Sequence, residues 1–223
     1  MLRFFAKFKK LFVVLTILSA IILAAIYTLM KPTEKLPVYQ PAFVNAELVD
    51  STVQYVKKYH SIPDFSFTNQ NGKIITQKDY QDKIYIADFF FTTCPSICPK
   101  MTANMSDLQD KIIKYGDVKL LSHTVTPETD SIPVLKVYAL KHHVKDEIWN
   151  LVTGSKKEIY ELARKSYLVA KSNGDGGKYD MIHTENFVLI DKQKRIRGFY
   201  DGTNSDEMLK LLHDLEILHS EKP

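Results

Sequence analysis

The stretch Lys83–Met101 leaves this chain the fewest ways to fold. An apolar run rich in Ile, Tyr and Phe, from Lys83 to Phe91, stops at Thr92–Thr93, and Cys94-Pro-Ser-Ile-Cys98-Pro follows. The run is too short for a lone helix and reads as a strand buried on both faces. Proline is tolerated in the first helical turn, so Pro95 and Pro99 predict a helix beginning between Cys94 and Pro99. With Cys98 in or beside that turn, both sulfurs can face one way, near a helix N-terminus that favours thiolate. They are the only two cysteines in 223 residues. A disulfide closing so small a loop removes little entropy from the unfolded chain. The pair therefore suits redox chemistry or a metal better than it suits a staple.

Leu11–Met30 is twenty residues without a charge, long enough to cross a bilayer core as a helix. Its basic flank Arg3, Lys7, Lys9 and Lys10 is expected to stay cytoplasmic, which puts the remainder on the far side. A cleaved signal peptide is the competing reading. The apolar stretch runs past Ala24 and Ala25, where such a peptide would end, and favours an uncleaved anchor. No cysteine follows it to take a lipid, and a flank of ten residues is short for an organelle transit peptide. The expected location is a bacterial inner membrane, single-pass, with the soluble domain in the periplasm. Residues 1–31 carry five positive charges and no acid, leaving 25 basic against 26 acidic residues beyond them. A domain so balanced gives no electrostatic reason for a nucleic-acid partner.

The expected organisation is a basic N-terminus over 1–10, an anchor over 11–30, an extended tether over 31–58 and one domain over 59–223. Pro32, Pro37 and Pro41 motivate the tether. Pro63–Thr68 and Lys73–Thr76, joined by Asn69-Gln-Asn-Gly72, predict a hairpin. Strands are predicted near 83–91, 118–125, 148–152, 184–191 and 195–200. Helices are predicted near 96–114, 132–143, 155–165 and 204–218, with Ser155 and Glu158 as a capping box. Ser172–Gly177 reads as a flexible loop. Strands alternating with helices argue an α/β sheet with helices on both faces.

Two thiolates and an imidazole would make a soft site, suited to Cu(I) and, with a further weak donor, to Cu(II); Zn(II) would accept the same donors. Seven histidines are available. His142 and His143 lie on a Lys-rich helix end and read as surface. His60, His213 and His219 have no assigned role, and His123 reads as a satisfied core residue. His183, just before a strand whose start could face the cysteine turn, is the candidate third ligand, on a weak signal. Met101 and Met105 read as core filler. Asp88 shares a strand face with Ile84, Ile86 and Phe90 and is expected to be buried. Desolvation would raise its proton affinity and let it take a proton from a thiol. A hydrogen-bonded structural role is the alternative.

Asp88-Phe-Phe-Phe-Thr-Thr-Cys-Pro-Ser-Ile-Cys-Pro-Lys-Met101 resembles the Cys-Pro-x-x-Cys-Pro signature of the SCO/SenC family of copper chaperones. Ser122–Asp130 with Val134–Ala139, His183–Asp191 and Arg195–Gly202 resemble three further segments of that family, over about residues 60–218. The resemblance implies a thioredoxin-like fold with a hairpin added at the front. It implies one copper held by Cys94, Cys98 and His183, for the binuclear copper centre of cytochrome c oxidase. The implied partners are the copper-accepting oxidase subunit and a periplasmic dithiol reductant that prepares Cys94 and Cys98. Some members act instead, or also, as thiol–disulfide oxidoreductases that reduce the target's cysteines. For that reading the redox pair is Cys94 and Cys98, with Asp88 as proton acceptor; thioredoxins carry a buried acid at the same offset from their first active-site cysteine. A peroxidase-like activity of Cys94 is a third reading. Thr126 stands where many members have Asp, which leaves the role of that acid absent or passed to Glu128 or Asp130.

Overall fold

In the computed structural model the apolar run forms β3 (Ile84–Phe90), every residue of it buried. The structure describes residues 8–30, 34–170, 174, 177 and 179–221. It divides into two units, Met1–Lys35 and Leu36–Pro223. The first holds α1 (Lys9–Met30), whose stretch Lys9–Thr28 is long and apolar enough to cross a membrane.

The second unit is built on a seven-stranded sheet. β1 (Ser66–Asn69) and β2 (Ile74–Thr76) make the expected hairpin, β4 is Val118–Thr124, β5 Trp149–Thr153, β6 Asn186–Ile190 and β7 Ile196–Asp201. The strand order is β2-β1-β5-β4-β3-β6-β7. β3, β4 and β5 run parallel, and β6, β7 and the hairpin run antiparallel to their neighbours. β3 lies between β4 and β6, which explains why it carries apolar residues at every position instead of alternating.

α2 (Cys98–Ile112), α3 (Ile132–Lys141) and α5 (Ser205–Ser220) supply the helices. One apolar cluster packs Met101, Met105 and Leu108 of α2 and Leu211 and Leu215 of α5 against Ile84, Ile86 and Phe90. The other face is covered by Ile159, Tyr160 and Tyr167 with Phe65 and Phe67 of the hairpin region. α4 (Lys156–Glu161) ends earlier than expected and passes into a π turn, Leu162–Ser166. Ser155 caps it by accepting from the Glu158 amide, so only one half of the predicted box forms among the described residues.

The domain boundary falls earlier than the prolines suggested. From Leu36 onward the segment expected as tether belongs to the second unit. The Tyr39 amide donates to the Ile196 carbonyl, the His60 amide to the Gln40 side chain, and Val49 is fully buried. Arg197, 3% exposed, fastens this strap: it donates to the carbonyls of Leu36 and Pro37 and pairs with Asp191 and Glu221. Lys31–Thr33 and most of the Ser172–Gly177 loop lie outside the described residues.

A dithiol turn with a histidine at its edge

β3 ends at Phe90, and the chain turns through Phe91–Ile97 before α2 starts at Cys98. The Cys94 amide donates to the Phe91 carbonyl at 3.3 Å. The Cys98 amide, in the first turn of α2, donates to the Cys94 sulfur at 3.4 Å. Both cysteines are free thiols with little exposure, 7% for Cys94 and 3% for Cys98.

The two sulfurs differ sharply as acids. Burial alone would raise the Cys94 thiol. Hydrogen bonds from the Cys98 thiol and from the Ser96 and Cys98 amides outweigh it and bring Cys94 down to about 7. Cys98 is pushed up to about 12, by burial first and then by giving its proton to the Cys94 sulfur. Cys94 is therefore the more acidic of the two thiols, with Cys98 donating to its sulfur.

Asp88 is buried on the face of β3 that carries the thiols' apolar cluster, beside Ser122 in the parallel register. Burial lifts its carboxyl to about 7, and the Ser122 hydroxyl pulls it back only partly. Ser122 accepts the indole N–H of Trp149 at 2.8 Å, so its own single proton is free to point at Asp88. The negative charge of Asp88 also raises Cys98.

His183 is exposed, in the irregular segment before β6. Its ring stands edge-on to Phe91, centroids 5.6 Å apart. The fold thus brings imidazole and dithiol to the same end of β3. Among the described residues, no three His, Cys, Asp or Glu side chains form a metal-holding group. His123 is a core residue but not a satisfied one. It is fully buried against Phe89, Phe67 and Tyr167, and neither ring nitrogen has a hydrogen-bond partner among the described residues.

Asp130 shapes the turn. Fully buried, it accepts from the Thr92 amide and from the hydroxyls of Thr92, Thr124 and Thr126. It ties the end of β4 to the first residues of the cysteine turn. Thr126 is thus engaged with Asp130. Nothing in local spacing exposes this cluster, because Thr92 and Asp130 are 38 residues apart; the Thr pair ending the apolar run was the one visible hint.

A parallel core with an appended hairpin, and a two-cysteine turn between β3 and α2, define a thioredoxin-like protein with a dithiol site. The chain matches the SCO1/SenC family model over residues 53–216 and belongs to that family. It is 33% identical over 161 residues to a SCO1 protein homolog of Bacillus subtilis, covering 70% of this chain and 82% of the relative. A structure of BsSco, described as a member of the Sco family of cytochrome c oxidase assembly proteins with a disulfide switch, aligns with TM-score 0.62 and 32% identity. It covers 73% of this chain and 95% of that one. Copper-bound yeast Sco1 aligns with TM-score 0.57 and 25% identity, over 74% of this chain and 92% of its own.

Proposed function

We propose that this protein is a membrane-anchored copper carrier that takes copper on Cys94, Cys98 and His183 and hands it to the copper-accepting subunit of cytochrome c oxidase. The observation that supports this reading is that His183 and Cys94 share a neighbour at the end of β3, the His183 ring lying against Phe91 and the Cys94 amide donating to the Phe91 carbonyl. Two thiolates and an imidazole are soft donors that suit Cu(I), and a weak further donor would extend the site to Cu(II). The copper-bound structure of a relative and the assembly role attached to BsSco support the same reading. The apolar span of α1 supports anchoring, with the soluble domain in the periplasm. Because the metal ligand is thiolate, a periplasmic dithiol must first keep the pair reduced. Titration of the reduced protein with Cu(I) is expected to saturate near one equivalent, and His183→Ala to weaken binding by about tenfold or more. Unchanged affinity in that variant would remove His183 from the site.

A second reading is favoured by the split between the thiols and by Asp88. In a dithiol exchange the Cys94 thiolate attacks a target disulfide, forming a mixed disulfide and releasing one target thiolate. Cys98 then attacks Cys94, its proton passing to ionised Asp88, and the second target sulfur leaves as a thiolate that takes its proton from solvent. The target is reduced and Cys94–Cys98 oxidised. Loss of this turnover in Asp88→Asn, with copper affinity intact, would separate it from copper carriage.

A further inference from the structure

We propose that the strap, from Leu36 to His60, rests on the lipid surface of the membrane that anchors the chain, with Phe43, Tyr55 and Tyr59 set among the headgroups. The inference rests on the anchoring reading above and is independent of copper.

A cluster of exposed apolar rings, unlike a single one, marks an interaction surface. Phe43 is 69% exposed, Tyr55 75% and Tyr59 95%; among the described residues of the second unit, Tyr179 is the one other aromatic so open to solvent. The three strap rings are neighbours. The Ala42 amide donates to the Val56 carbonyl at 3.0 Å, which puts Phe43 and Tyr55 beside one backbone bond. The His60 amide donates to the Gln40 side chain at 2.9 Å, which brings Tyr59 to the same two segments. Tyr59 has φ 64°, left-handed backbone that a bulky side chain rarely adopts. The residues after it hold it there: the His60 ring bonds the Ser166 carbonyl, and the Ile62 amide donates to the Lys194 carbonyl. The fold thus maintains a costly conformation that leaves a ring in solvent.

The occupant follows from chain length and composition. Only residues 31–35 separate Met30, which ends α1, from Leu36, at most about 20 Å of extended chain. The strap therefore always has the lipid surface within reach. Tyrosine, an apolar ring with a polar tip, is favoured at membrane interfaces. Between Asp50 and Asp64 the sequence carries Lys57 and Lys58 and no acid, which suits anionic headgroups. Register gives the consequence for the dithiol. Tyr39 bonds Ile196, which pairs with Ile190, itself beside the early β3 residue Tyr85. The cysteine turn follows the other end of β3, seven residues or about 20 Å away. A strap lying on lipid stands Cys94 and Cys98 off the membrane.

The test uses the full chain in phosphatidylethanolamine–phosphatidylglycerol vesicles, with and without lipid brominated near the headgroup, which quenches tryptophan. The native Trp149 is buried and gives a constant background. Phe43→Trp is expected to lose most of its added emission in brominated vesicles. Val134→Trp, in the first turn of α3, should keep its own. Adding Tyr55→Ser and Tyr59→Asn to Phe43→Trp should restore the emission without lowering the melting temperature, since asparagine tolerates positive φ. Equal emission of Phe43→Trp with and without bromine, in a chain that floats with the vesicles, overturns the proposal and leaves anchoring standing. Shielding from aqueous iodide that grows with protein density and ignores bromine assigns the strap to a second copy and also overturns it. A chain that does not float with the vesicles overturns both.

Discussion

Four buried titratable residues give this protein its chemical character, and each can be read by its acid–base behaviour. Reduced protein treated with iodoacetamide should be modified at Cys94, with a rate that rises through a midpoint near pH 7, while Cys98 stays inert until far higher pH. Equal labelling of both thiols, measured by peptide mass, would contradict the acidity split. Asp88 and His123 pull the stability curve in opposite directions. Asp88 titrates at about 7 when folded and near 3.8 when unfolded. The native state therefore binds the extra proton between those values, and stability falls as pH rises across them, by about 4 kcal/mol. His123, buried neutral, titrates at about 3 against 6.5 unfolded, so it costs stability as pH falls from 6.5 towards 3. Denaturant melts should show Asp88→Asn gaining about 2–4 kcal/mol at pH 8 relative to its effect at pH 4. His123→Phe, whose ring suits the aromatic nest, should gain about 3 kcal/mol at pH 4 relative to pH 7. Parallel pH profiles for native and variant proteins would contradict either assignment.

The element that matters most is the turn between β3 and α2, and Asp130 is its brace. Asp130→Asn keeps the shape but weakens acceptance from three hydroxyls and an amide. It should cost about 2 kcal/mol and slow Cys94 alkylation at pH 7, because the turn loosens. A stability loss with unchanged alkylation would assign Asp130 to the fold alone. The strand–turn–helix itself was legible because β3 is buried on both faces, so its residues form an unbroken apolar run that ends where burial ends. Asp88 was legible as buried for the same reason. The brace was not, since its partners come together only when β4 lies beside β3. The π turn after α4 was equally silent: Leu162–Ser166 carries ordinary helix formers, and the fully buried Tyr167 and Leu168 follow it. His183 reads as a candidate ligand only through the family resemblance; one histidine before a strand says little by itself.

At the scale of the whole molecule, the second unit begins at a strap. Residues 36–58 lack periodicity because they pair backbone to backbone and bury scattered side chains such as Val49, a pattern that local sequence resembles a linker in showing. Arg197→Met should cost about 3–5 kcal/mol, since it strands Glu221 and two carbonyls in a partly buried place. Limited proteolysis should then cut within the strap, and native-like resistance would contradict its clamped role. The hairpin, the sheet and the helices on both faces were all readable from alternating elements; the point where the domain starts was not. The central claim is that Cys94, Cys98 and His183 meet on one ion. Its most direct test is a structure determined with Cu(I) bound. The account predicts both sulfurs and a His183 ring nitrogen within about 2.0–2.4 Å of a single copper, similar to other soft-donor sites. Copper held by the cysteines alone, with the His183 ring still resting on Phe91, would contradict it.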